Sequence, residues 1–163
     1  MTRPLSAADA RQSLTDHVVA RGLEALTRYG PHLGWDALQR LLLDRTQVRY
    51  PCTVVFSEAG LLPGELAHPA PCGDRPEDGF LLHVHPCFQS NRDEAAAVVL
   101  YQLVLVNYGE FASAHEAESY GAAALGLTRD EYYDWMCRLA ERVPTPDGRA
   151  DHSGGSEGGG RGS

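Results

Sequence analysis

Lysine and isoleucine are absent from the chain, so all fourteen of its basic residues are arginine. Both missing residues use AT-rich codons, and their absence reflects base composition rather than a functional demand. Long apolar runs are missing too. The longest, Ala95 to Val106, falls short of the roughly 20 residues that cross a bilayer. No basic leader followed by an apolar stretch comes after Met1, which predicts a cytoplasmic protein. Cysteine is sparse, with Cys52, Cys72, Cys87 and Cys137 and no C-x-x-C pair. That spacing excludes a thioredoxin-like motif and a zinc ribbon, and thiols in a reducing compartment stay unpaired. Nucleophile-elbow, phosphate-loop and dinucleotide-binding glycine patterns are all missing. His115-Glu116 has Ser119 where a zincin helix needs its second histidine.

What is present suits one globular domain of 163 residues, with 43% hydrophobic and 22% charged residues. The net charge of −8 is uneven. Residues 1–50 carry seven arginines against five acids, whereas residues 51–146 carry five against fourteen. An acidic body without an arginine cluster repels phosphate backbones, which removes nucleic acid as a partner. Residues 144–163 are glycine-rich and lack an apolar cluster, so the expected organisation is a domain over 1–143 and a disordered tail.

Four helix starts share a pattern of Ser or Thr followed three residues later by Asp or Glu. They are Ser6/Asp9, Ser90/Asp93, Ser113/Glu116 and Thr128/Glu131. The hydroxyl satisfies an orphan amide of the first turn and the carboxylate suits the helix's positive end. With stops at Gly30-Pro31, Gly109 and Gly126, helices are predicted near 6–29, 34–45, 91–108, 113–125 and 128–143. The last places Tyr132, Trp135, Met136, Leu139 and Val143 on one core-facing stripe, with Cys137 read as a small buried residue. Between Ala95 and Val106 only Gln102 is polar, which marks a central helix apolar on every side. Gln102 itself is read as a core hydrogen-bonding group without a functional role.

The period shortens to two between the second and third helices. Val48 to Phe56 and Phe80 to His85 read as strands, with Pro51 confining the first to an edge or a bulge. No strand–helix–strand unit repeats. The expected fold class is therefore α+β, mostly helical, with a small antiparallel hairpin packed on helices.

Chemistry concentrates in one place. Residues 57–79 form a long connection with four prolines and four glycines, carrying Glu58, Glu65, His68 and Cys72. It ends beside His83-Val84-His85-Pro86-Cys87. Strand residues two apart point the same way, so His83 and His85 can face one ion. His68, Cys72 or Cys87 would complete the ligand set, and the donor types suit zinc or iron. Glu58 or Glu65 would then act as the base on metal-bound water. The same histidines also fit a strand's solvent face with nothing bound. His83-Val84-His85-Pro86 with Ser90 and Asp93 is loosely similar to the JAMM/MPN metalloprotease pattern. That resemblance implies His83, His85 and Asp93 as zinc ligands and Glu58 as base. The gap from His85 to Asp93 is shorter than that pattern, however, and helices follow where that family continues with strands. Two functions therefore stand side by side: a metal-binding protein, extending to a small metal-dependent enzyme, and a non-catalytic adaptor. The adaptor would bind a protein partner through its helical faces and the Pro-rich loop.

Overall fold

Three of the four capping patterns close as written. In a computed structural model, which describes residues 6–144, reciprocal boxes join Ser6 to Asp9, Ser113 to Glu116 and Thr128 to Glu131. They open α1 (Ala7–Tyr29), α4 (Ala114–Leu125) and α5 (Arg129–Ala140). Two further helices, α2 (Trp35–Leu41) and α3 (Arg92–Tyr108), complete the set. Gly126 ends α4 with φ of 72°, a left-handed conformation that favours glycine. The fold class is α+β and mainly helical, as the patterning predicts. No described helix is long and apolar enough to cross a membrane. The predicted disorder of the tail concerns residues that, beyond Pro144, lie outside those described.

The fourth capping pattern does not close on itself. Asn91, not Ser90, is the N-cap of α3, accepting the Glu94 N–H at 3.4 Å. Asp93 instead reaches back to accept the Trp35 N–H at 2.9 Å, capping the neighbouring α2. Gly34 precedes that turn because a Cβ there would meet Asp93 Oδ1 at 2.5 Å.

The predicted hairpin is replaced by a mixed sheet of three strands. Its strands are β1 (Cys52–Phe56), β2 (Ala67–Pro71) and β3 (Phe80–Val84), in the order β1-β3-β2. β3 runs parallel to β1 and antiparallel to β2. β2 arises inside the long connection, where two prolines hide it from any propensity argument. Its register explains how the prolines fit. The His85 N–H donates to the Leu66 carbonyl at 2.8 Å, and the Cys72 N–H to the Gly79 carbonyl at 2.9 Å. Even-numbered residues of this segment thus bond toward β3. Pro69 and Pro71, lacking N–H, occupy positions directed away from it, where an edge strand tolerates them.

The core lies between the inner face of the sheet and the helices. Leu82 and Val84 of β3 are fully buried there with Leu38, Leu41 and Phe88. α3 is the central helix, with Ala95, Ala96, Val99, Leu100 and Leu103 at zero exposure. α1 packs along α4. A Cβ on Gly22 would meet the Ala123 Cβ at 2.6 Å and the Tyr120 carbonyl oxygen at 2.8 Å. Glycine at this position lets the two helix backbones approach. Glu116 is buried beneath α1, where Arg11 Nη1 (2.6 Å), Thr15 Oγ1 (3.1 Å) and Ser113 Oγ (2.7 Å) donate to its carboxylate.

Candidate functional site

The His and Cys residues singled out in the sequence meet only in pairs. His83 lies on the outer face of β3, directly opposite His68 on β2 and Val55 on β1. Backbone from the connection lies on its imidazole, since a Cβ on Gly60 would run into the ring. Its Nδ1 is buried and meets no hydrogen-bond partner among the described residues.

The strand ends one residue before His85. His85 turns away to cap the short 3-10 turn Pro86–Phe88, its Nδ1 accepting the Cys87 N–H at 3.0 Å. Its Nε2 lies 3.8 Å from Glu58 Oε1, and the Glu58 side chain is largely exposed. Glu65 is engaged locally. Its Oε1 accepts the Leu62 N–H at 2.7 Å, and Oε2 lies 3.7 Å from His68 Nδ1. Burial pushes the Cys87 thiol above its ordinary value, although Arg142 opposes the shift. Cys72 is exposed at the far end of β2. Among the described residues, no three His, Cys, Asp or Glu side chains gather closely enough to hold a metal ion.

A cleft of about 400 Å³ opens where the end of the Pro-rich connection meets α3, α4 and α5. The connection and β2 contribute Gly64 to Ala67, and α3 contributes Val98, Tyr101 and Gln102. Glu118 comes from α4, while Tyr133, Met136, Cys137 and Ala140 come from α5. Its size falls within the range of small-ligand and side-chain pockets, and most of its walls are apolar. Cys137 therefore faces the cleft and is exposed, not buried in the core as the helical pattern predicts.

Three polar groups set the character of the cleft. Glu118 accepts from Arg129 Nη1 at 2.7 Å, so its charge is already paired. The Tyr101 phenol is held protonated well past neutrality, first by burial and then by the nearby Glu118 charge. Gln102 is only 7% exposed. Gln102 belongs to the cleft lining, at the edge of the apolar helix.

Gln102 is what sequence reasoning missed. The signal was present as the single polar residue in an apolar helix, but periodicity cannot distinguish a satisfied core amide from one facing a cleft. Comparison of the chain with known protein families, curated proteins and solved structures finds no match in any of the three.

Proposed function

We propose that the protein is a non-catalytic binding subunit that receives a segment of a protein partner in the cleft. The observation that carries this reading is the convergence of the Pro-rich connection and three helices on one apolar concavity. Apolar walls supply affinity through buried area, and a few fixed polar groups supply orientation. In the lining no histidine accompanies Cys137, and the Glu118 carboxylate is paired with Arg129. The four unpaired cysteines fit a reducing compartment, consistent with a cytoplasmic setting.

Selection of peptides from a displayed random library on the full chain tests this reading. Enriched peptides should bind the wild type and lose at least about tenfold in affinity to Ala140→Trp, which puts a large ring among the cleft-lining side chains. Equal binding to both proteins, or no enrichment, ends it.

One observation favours a second reading, metal binding. His68 and His83 are direct cross-strand partners on one face, beside the connection that carries Glu58 and Glu65. On this reading untagged protein retains zinc or iron, and the His68→Ala, His83→Ala double variant loses it. Equally low metal in both proteins by elemental analysis removes this alternative.

A further inference from the structure

We infer that the free edge of β1 pairs with β1 of a second copy of this chain, antiparallel and about a two-fold axis at Val54. The pairing is independent of the cleft, which adjoins β2 at the opposite edge of the sheet.

Register shows which backbone groups the edge offers. The Phe80 N–H donates to the Pro51 carbonyl at 2.8 Å, and the Ser57 N–H to the Val84 carbonyl at 3.0 Å. Odd-numbered residues of β1 therefore bond toward β3, and Cys52, Val54 and Phe56 direct their N–H and C=O outward. Outside the sheet, no backbone bond among the described residues engages these three. Besides β3, no described element packs extensively along β1. The two edges of the sheet differ in how proline is placed. On β2 the outward positions are Ala67, Pro69 and Pro71, and both prolines lack a donor there. Pro51 bonds to Phe80 through its carbonyl, so its missing N–H lies on the β3 side as well. One edge is closed to strand addition, and the other keeps its donors.

Charge selects the occupant and its direction. Residues 45–57 hold Arg45 and Arg49 and no acid, in a chain whose net charge is −8. Along this strip a second acidic copy approaches without like-charge repulsion. Arg49 precedes β1 and is exposed, its guanidinium 5.1 Å from the Tyr108 ring centre. Glu58 follows β1 and is largely exposed. Antiparallel pairing brings the Arg49 end of each copy to the Glu58 end of the other, whereas parallel pairing sets like beside like. Centred on Val54, the outward groups of Cys52 meet those of Phe56 in the second copy, and Val54 meets Val54. Every outward donor of β1 then finds an acceptor. On the outer face Thr53 lies opposite Val55 of the second copy, a β-branched pair that suits a sheet. The contact is isologous, so it closes at a dimer.

Sedimentation equilibrium of the full chain across micromolar concentrations tests the pairing. Wild type should form a dimer. Val54→Pro removes an outward N–H that bonds nothing inside the sheet, and should weaken association at least about tenfold. Two further variants keep the test open if the proline chain misfolds. T53E/V55E and T53R/V55R each set like charges across the outer-face pairs and should be monomeric. Mixed in equal amounts, they should form a heterodimer, because opposite charges then face each other. A monomeric wild type, a dimer that persists in all three variants, or a mixture that fails to associate overturns the pairing. A monomeric wild type that binds displayed peptides, and loses them on Val54→Pro, gives the edge to another protein's strand and likewise excludes the second copy.

Discussion

Asp93 in the first turn of α3 accepts the backbone N–H of Trp35 at 2.9 Å, so one helix supplies the cap of another. This tie fixes α2 against the central helix across the Gly34 approach. Replacing Asp93 with Ala should cost about 1 kcal/mol, the usual worth of an N-cap. Ser90→Ala should be close to neutral, because Asn91 is the cap of α3. Thermal melting of the two variants decides; a larger loss for Ser90→Ala would contradict the arrangement.

Leu103 is fully buried in the middle of α3. Leu103→Ala should lower stability by about 3 kcal/mol through lost transfer energy and the cavity left behind. Leu103→Asp should prevent soluble expression, since the charge would have neither water nor a partner. Denaturant unfolding of the alanine variant measures the first effect directly.

The contact of α1 with α4 gives a test in which propensity and packing disagree. Gly22→Ala should gain up to about 1 kcal/mol in helix propensity. The new methyl, however, meets Ala123 Cβ at 2.6 Å. Overpacking of this kind typically costs about 1–3 kcal/mol, so a net loss is expected. Ala123→Gly in the same chain should restore part of it, whereas the Tyr120 carbonyl at 2.8 Å keeps the rescue incomplete. A double-mutant cycle without coupling would refute the close approach.

Acid should unfold the protein through two carboxylates. Burial alone would raise the Asp44 carboxyl. Bonds from Thr46, Tyr29 and Arg28 outweigh that effect and hold it well below its ordinary 3.8. Glu116 is likewise held below 4.5, where hydrogen bonds from Ser113 and Thr15 and the charge of Arg11 overcome its desolvation. Both groups have depressed values in the folded state. Their contribution is therefore complete above the ordinary carboxylate range and is lost as pH falls below it. Asp44→Asn should lower the melting temperature at neutral pH and flatten its decline in acid. A variant whose acid decline matches the wild type would show that Asp44 does not drive it.

The helices were legible because their ends carry chemistry in the side chains: Ser6, Ser113 and Thr128 each answer to a carboxylate three residues on. The Ser90/Asp93 pattern is identical in sequence, yet its carboxylate found a partner on another helix, which no local rule encodes. β2 stayed hidden for a related reason. Pro69 and Pro71 argue against a strand unless the register is known to turn both away from the ladder. His83 was legible as a strand residue, but the turn beginning at His85 separates their roles. The cleft depends on tertiary assembly of four segments, and only the odd polarity of Gln102 announced it.

The position of β3 also governs when the sheet can exist during synthesis. Both outer strands bond to β3 and not to each other, so a growing chain that has reached only β2 has no completed strand pair. The parallel union of β1 with β3 must wait for the whole intervening connection, a non-local step of the kind that slows folding. The inner face of the sheet then stays uncovered until α3 leaves the ribosome. The protein is thus most vulnerable to misassociation late in translation, when its strands are paired and its central helix is still to come.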